Sequence, residues 1–479
     1  MIKMIAAPYL PSYAKTLVYM LQNSEYRLWP YFKWFWRTQN FSTVAQRRQL
    51  ELTKPARLLL LALWCGMALQ VLAGFALIYL GYSHGLVGGW EFGLALIISY
   101  PVVWAHLVAV PLAIGRVLII IPRERWLIIH SEQIFKNHKA AKIAITGSYG
   151  KTSMKELLLT VLAEGKKVAA TPGNKNVAVS HARFARTLKG DEEVILLEYG
   201  EGAPGDVAEF TRITHPTHAV ITGVAAAHLD RYKTIHAAGA DIFSVTRHMK
   251  PDHVFVNDES SDAKPFIQPG FIRYDGSGTL GWIVSKVAVD LSGTSFSITQ
   301  GKHNLKLKSG LLGRHNIGPL CLAAAMADQF GIADQSIVKA ISRTKPFEHR
   351  MQPYQLNGAW IIDDTYNGNL EGIRAGTALL RELKAKRKLY VTPGLVDQGK
   401  LTPQIHIEIG QLIAASGAEI VVLIQHSVTD FIKEGLTAGG YKGELIVEPN
   451  PLEFYTNLSQ FVAAGDLALL QNDWPDNYI

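Results

Sequence analysis

Cysteine is almost absent from this chain: Cys65 and Cys321 are its only two in 479 residues. They lie far apart and neither belongs to a CxxC or similar spacing. That excludes a disulfide framework and a thiolate zinc site, and both read as buried thiols. Charge is also scarce. Asp, Glu, Lys and Arg make up 18% of the residues and hydrophobic types 48%, a balance that assigns part of the chain to a bilayer. No internal repeat or long low-complexity tract occurs, and the length suggests about three structural units. The net charge of +8 is concentrated at one end, where residues 1–56 carry eight Lys and Arg against two Glu. The excess sits beside the apolar segments and not over the rest of the chain. It points to an anionic lipid surface and not to nucleic acid.

Residues 58–81 contain no charge. At about 1.5 Å per residue, a helix of that length crosses a hydrocarbon core of about 30 Å. A second apolar run, 92–120, is interrupted by Pro101 and Pro111, which a membrane helix tolerates when neighbours satisfy the freed carbonyls. Arg47, Arg48, Lys54 and Arg57 precede the first run, and Arg116, Arg123 and Arg125 follow the second. The positive-inside bias puts both flanks in the cytoplasm. The expected layout is a basic, aromatic interfacial segment over 1–56 and a transmembrane hairpin over 57–125. The catalytic parts then stand on the cytoplasmic side of a cell inner membrane or plasma membrane. A buried helical hairpin of a soluble domain is the competing reading. The upstream stretch LWPYFKWFWRTQNF suits a headgroup interface, and an amphipathic packing helix equally.

From residue 141 the pattern becomes α/β. KIAITG, KKVAATPG, EEVILLEYG, THAVITGV, DHVFVND, AWIIDD, KLYVTPG, EIVVLI and ELIVEP read as short strands. Helical stretches such as NIGPLCLAAAMADQFG and LEGIRAGTALLRELKAK alternate with several of them, which predicts parallel sheets with crossover helices. Residues 270–310 read as a small antiparallel insert. A pause near Lys345-Pro346-Phe347 separates a central domain, 140–344, from a C-terminal domain, 345–479.

The chemistry starts at TGSYGKTS, residues 146–153. A strand precedes it and a helix follows, so backbone N–H groups and a helix N-terminus point at an anion. Gly147 and Gly150 let the backbone approach, Lys151 reaches terminal phosphates and Thr152 ligates Mg²⁺. Ile145 stands where the longer phosphate-loop pattern has glycine, so the match is to the short form GxxGKT. ATP and Mg²⁺ are the expected cofactors. Glu198 ends the strand VILLEYG, and His228 follows the strand THAVITG. Strand carboxyl ends converge on the ligand crevice of an open parallel sheet. Taken singly, such a Glu also reads as a solvated cap and such a His as a structural one.

The loop, GNKN at 173–176, EYG at 198–200, AHLD at 227–230, GRHN at 313–316, Arg350 and DDTYNGN at 363–369 occur in one order. That order and spacing resemble the Mur ligase family. The nearest branch joins D-alanyl-D-alanine to UDP-N-acetylmuramoyl-tripeptide, and the resemblance covers roughly 141–479. It implies a phosphate-loop Mur-ligase central domain and a Rossmann-like C-terminal domain behind the two-helix transmembrane region. It also implies an ADP-forming ligase of cell-wall precursor synthesis, which makes an amide through an acyl phosphate. By matching, Gly147, Ser148, Gly150, Lys151, Thr152 and Ser153 hold the nucleotide, together with Asn316, Arg350 and Asp364. Lys151, His228 and Arg350 take the catalytic roles. Thr152, Glu198 and His228 bind metal, and Asn174, Asn176, Tyr366 and Asn367 face substrate. The partners are a muramoyl-peptide acceptor and D-alanyl-D-alanine, and a monomer is expected.

Three features depart from the family pattern. The lysine that follows the AHLD-type motif, carbamylated and metal-bound in the family, is absent; AAGADIF, with Gly239 or a neighbour, stands there. Either the second metal is held otherwise, or its site is weakened. The soluble domain that grips the uridine nucleotide is not recognisable. The C-terminal end reads GDLALLQNDWPDNYI, without a basic, glycine-containing loop after GD. These departures leave two alternatives open. One is a related membrane-bound ligase for another amino acid or a lipid-linked acceptor; the other is a non-catalytic nucleotide-binding homologue.

Overall fold

The computed structural model describes residues 6–24, 26–38, 40–41, 50–173, 176–366, 368–396 and 398–472. The chain divides into two compact units, Met1–Trp126 and Leu127–Ile479.

In the first unit, helices α1 (Ser12–Asn23) and α2 (Leu28–Arg37) precede α3 (Lys54–His84). Pro55 sits in the first turn of α3, where its missing N–H costs nothing, and Thr53 accepts a bond from the Ala56 N–H as the cap. Gly85 ends α3 in the left-handed region (φ 68°), which glycine adopts without strain. Then follow α4 (Gly89–Leu107), α5 (Ala109–Gly115), a π-helical turn over Arg116–Ile120, and α6 (Ile121–Asn137). The second apolar run is thus helical from residue 89 and stays helical past 120. Its break falls at Val108, between the two prolines. Three tyrosines donate to α4 carbonyls around that break: Tyr9 to Ile98, Tyr13 to Pro101 and Tyr31 to Ala105. Neighbouring segments therefore add donors to carbonyls of this proline-containing stretch.

Small residues let α3 and α4 touch along their length. A Cβ on Gly74 would lie 2.8 Å from the Gly93 carbonyl oxygen and 2.7 Å from Ile97 Cγ1. Gly74→Leu is expected to lower the melting temperature of the detergent-solubilised protein by several degrees. Gly115→Leu, whose Cβ meets nothing within 4 Å, is the control. Equal melting of the two variants would refute this account of the packing.

The outer faces remain uncovered: Leu58, Leu61, Leu69, Leu72 and Phe75 on α3 are exposed, as are Ile98, Val102 and Val103 on α4. On α2, Tyr31 and Phe35 are buried while Trp29 and Trp36 are 78% and 70% exposed. One face packs and the other presents indoles to the surface. Cys65 is exposed on α3, against the expectation of a buried thiol, because its position on the helix turns outward.

The described residues of the second unit form three sheets. In the first, β1 (Ala141–Thr146), β2 (Val168–Ala170), β3 (Val194–Glu198), β4 (His218–Ile221), β5 (Val254–Asn257) and β6 (Ile272–Tyr274) run parallel in the order β2-β3-β1-β4-β5-β6. Helix α7 (Lys151–Leu162) covers one face together with α11 (Ile317–Gln329), and α8 (Ala178–Ala185), α9 (Asp206–Thr214) and α10 (Ile235–Ile242) belong to the same region. Ten of the thirteen residues of α11, Cys321 among them, are buried, so the helix is enclosed on all sides, and burial pushes the Cys321 thiol up to about 12.

Strands β7 (Gly278–Thr279), β8 (Trp282–Asp290), β9 (Gly293–Gln300) and β10 (His303–Ser309) form an antiparallel sheet within the expected 270–310 insert, whose first residues instead enter the parallel strand β6. The third sheet comprises β11 (Gln352–Leu356), β12 (Ala359–Asp364), β13 (Arg387–Thr392), β14 (Ile420–Ile424), β15 (Glu444–Glu448) and β16 (Asp466–Gln471) in the order β11-β12-β16-β13-β14-β15. Only β11 is antiparallel to its neighbour. Strand β16 lies in the centre, where the sequence pattern singled out no strand. The residues after GD-466 thus enter a buried strand, anchored at Asp466 by Arg387, whose Nη2 lies 2.5 Å from Oδ2.

Candidate active site

Strand β1 lies between β3 and β4, so the chain leaves it toward opposite edges of the sheet. A ligand crevice opens at such a reversal. The loop after β1 is fixed from both sides. The Ser148 N–H donates to the Gly223 carbonyl and the Thr222 N–H to Thr146. Gly147 (φ 141°) has no alternative: a Cβ there would lie 2.3 Å from Thr222 Oγ1. Gly150 (φ 70°) turns the chain into α7.

The first turn of α7 carries the charge. Lys151 Nζ lies 2.5 Å from the Gly147 carbonyl oxygen and 2.7 Å from Glu201 Oε2. Thr152 Oγ1 donates to Glu198 Oε1 at 2.9 Å. One turn on, the wholly buried Lys155 reaches Glu198 Oε2 at 3.1 Å and the Thr171 carbonyl at 2.9 Å, and also bonds the Gly173 carbonyl. Asn176 Nδ2 is 3.4 Å from Glu198 Oε1. Glu198 therefore gathers a hydroxyl, an amide and an ammonium at the end of β3. Asn174 lies outside the described residues.

A cavity of about 230 Å³ adjoins the loop. Gly150, Ser153, Asn316, Arg350, Asp364 and Tyr366 line it together, although they come from stretches more than two hundred residues apart. The Asn316 amide donates to the Leu312 carbonyl at 2.7 Å beside His315, whose burial lowers its pKa to about 4. The Arg350 guanidinium stands 4.8 Å from the centre of the Tyr366 ring, a cation–π distance. Asn367 lies outside the described residues.

Burial raises the Asp364 carboxyl to about 6, against the opposing bonds from Gln471 Nε2 and the Met351 N–H and the nearby Arg350 charge. The folded state therefore holds the extra proton between pH about 4 and 6, and stability contributed by the neutral form is lost as pH rises through that window. The wild-type stability–pH curve should fall relative to that of Asp364→Asn by on the order of 2 kcal/mol across it. Parallel curves would refute the assignment.

Not every residue singled out in the sequence joins this cluster. His228 is exposed, with a left-handed backbone (φ 52°), and no described contact ties it to Thr152 or Glu198. Among the described residues no group of three His, Cys, Asp or Glu side chains is poised to hold a metal. At the missing-lysine position, a Cβ on Gly239 would lie 2.3 Å from the Phe266 ring. Two residues on, Asp241 is buried and bonds the Tyr232 hydroxyl at 2.8 Å and the Gly205 N–H at 2.9 Å. Packing and loop anchoring occupy that place.

Three contributors escaped the sequence reading: Lys155, Glu201 and Gln471. Lys155 sits one helical turn after Lys151, and Glu201 three residues after Glu198. Gln471 holds Asp364 at 2.8 Å and accepts from the Tyr390 hydroxyl at 2.7 Å, from a strand that was not recognised.

Residues 145–327 match the family model "Mur ligase middle domain". The chain is 25% identical over 302 residues to the UDP-N-acetylmuramoyl-tripeptide--D-alanyl-D-alanine ligase of Escherichia coli (strain K12), covering 60% of this chain and 64% of that one. It is 25% identical over 337 residues to the ligase of the same name from Bacillus subtilis (strain 168), covering 69% and 72%. The chain thus spans a little under two thirds of the length of the Escherichia coli relative. Its fold is shared with the Thermotoga maritima MurF ligase solved in complex with ADP (TM-score 0.63, 20% identity, 73% of this chain and 80% of that one).

Proposed function

We propose that this chain, built around a Mur ligase middle domain, is an ATP-dependent, ADP-forming peptide ligase that joins D-alanyl-D-alanine to a muramoyl-peptide acceptor. The observation that carries the reading is the junction of the loop of 146–153 with one cavity lined by Asn316, Arg350 and Asp364. A phosphate loop alone binds anions; a loop opening onto residues from the far end of the chain suits a nucleotide on which a second segment closes. Relatives named for this reaction support the substrate class.

In this reading Lys151 and the loop N–H groups hold the β- and γ-phosphates, and Asn316 meets the adenine. The γ-phosphoryl passes to the acceptor carboxylate with loss of ADP. The amine then attacks the acyl phosphate, forming the amide and releasing phosphate. Arg350 approaches the phosphates from the cavity wall and disperses charge that develops there. Asn176, beside Glu198, sits on the acceptor side. Thr152 and Glu198 present adjoining hard oxygens that would hold Mg²⁺, and the ion would supply charge neutralisation of the phosphates there.

The uncovered apolar faces of α3 and α4, with the exposed indoles of α2, support attachment to a membrane. The basic flanks of both apolar runs favour a ligase unit on the cytoplasmic side, and we take the chain to act as a monomer. A membrane position favours an acceptor that can be presented at the lipid face.

The test is an acceptor and amine panel with the purified chain, read as ADP release and product mass. Amide formation from UDP-N-acetylmuramoyl-tripeptide and D-alanyl-D-alanine carries the proposal. Turnover with a lipid-linked acceptor only, or with another amine only, shifts it to a related ligase. No ADP release with any pair leaves a nucleotide-binding homologue.

A further inference from the structure

Two buried carboxylates flank the phosphate loop, and each is neutralised by one lysine of α7. Their partners differ in freedom. Lys155, fully buried, is held by two further carbonyl oxygens from the 171–173 loop and cannot leave Glu198 without breaking both bonds. Lys151 is 14% exposed, and its only other described bond is to the Gly147 carbonyl of the phosphate loop itself. The Glu201 side chain is 3% exposed, and the oxygen facing Lys151 has no other described partner. Lys151 is thus the counter-charge on which this carboxylate depends.

Nucleotide phosphates compete for that same ammonium. When they draw Lys151 away, Glu201 stays behind as a buried carboxylate without compensation, a state that is strongly penalised. When Lys151 stays, its charge is shared and the phosphates are held less well. A divalent cation arriving with the nucleotide removes the conflict, because it can face the carboxylate that the lysine has left.

We infer that Glu201 couples nucleotide binding to a divalent cation: it pairs with Lys151 when no phosphate does, and faces the cation once the phosphates take the lysine. This rests on the phosphate-site reading above. By linkage, the cation tightens nucleotide binding by the same factor by which nucleotide tightens cation binding.

The experiment is ADP titration by calorimetry of the full chain in detergent, with Mg²⁺ and with chelator, for wild type and Glu201→Gln. The isosteric amide keeps the shape and removes the charge. Metal-free ADP should bind the variant at least threefold tighter than wild type, and the gain from Mg²⁺ should shrink at least threefold. A Mg²⁺ gain that changes by less overturns the inference. Absence of ADP binding by both proteins in Mg²⁺ instead overturns the phosphate-site reading. Should Glu201→Gln not fold, Lys151→Met supplies the second measurement. It strips Glu201 of its counter-charge without nucleotide, so Mn²⁺ should raise its melting temperature more than that of wild type. Equal shifts overturn the inference.

Discussion

Lys151→Ala is expected to lower ADP formation by about 10²–10³-fold, the usual effect of removing one group aimed at charge that develops in a transition state. The side chain begins α7 and lies within 2.7 Å of the loop carbonyl of Gly147 and of Glu201. It is the loop's own point charge for phosphate. Lys151→Arg should not restore activity, because a planar guanidinium does not fit where a compact ammonium is held. The alanine variant also leaves Glu201 without its partner, so loss of fold must be separated from loss of chemistry. Lys151→Ala combined with Glu201→Gln removes both charges and should melt closer to wild type than Lys151→Ala alone, while turnover stays low. Turnover within threefold of wild type in a folded Lys151→Ala protein would end the assignment of the loop to catalysis.

The second large effect concerns stability. Lys155→Met should cost about 3–5 kcal/mol, because it strands Glu198 as a buried charge. Lys155 is wholly buried and the Glu198 side chain is 2% exposed, so water cannot replace the lost ammonium. The carbonyls of Thr171 and Gly173 lose their donor in the same step. The expected fall in melting temperature is on the order of 10 °C. Lys155→Met with Glu198→Gln should recover a good part of it, since the double change removes both charges. Equal destabilisation by the single and double variants would show that the packing of the lysine stem, and not its charge, matters. The same ammonium holds Glu198 and the 171–173 loop, so it also fixes the carboxylate that faces Thr152.

Much of this organisation is visible in the sequence for reasons that can be named. The strands β1, β3 and β4 are short apolar, β-branched runs ended by glycine or turn residues, and that chemistry admits few other conformations. The phosphate loop is legible because its glycines are demanded by close approach: only glycine fits 2.3 Å from Thr222 Oγ1. Helices α3 and α4 follow from length and lack of charge alone. Strand β16 was not legible. LALLQ is an apolar run too short to distinguish from a helix end, and its place at the centre of a sheet is set by β12, about one hundred residues upstream, and by β13, about eighty residues upstream.

Lys155 and Glu201 were hidden for a different reason. A lysine on an amphipathic helix and a glutamate after a strand are solvated in most folds, since burying either alone is costly. Only the pairing of each with an opposite charge makes burial possible, and pairing is a property of the folded chain.

Sequence by itself determined the local chemistry of this protein: where the loop turns, which segments are apolar enough for a bilayer, and which strands alternate with helices. Those depend on residues close together in the chain, through propensity, periodicity and backbone sterics. Tertiary structure alone decided the rest. It brought Asn316, Arg350, Asp364 and Tyr366 to the wall of one cavity beside Gly150. It joined Thr152 to Glu198 while leaving His228 exposed. It also gave Lys151 to Glu201 and Lys155 to Glu198. The strength of a charge depends on its distance from other charges and from water, and both are fixed only when the sheets are packed.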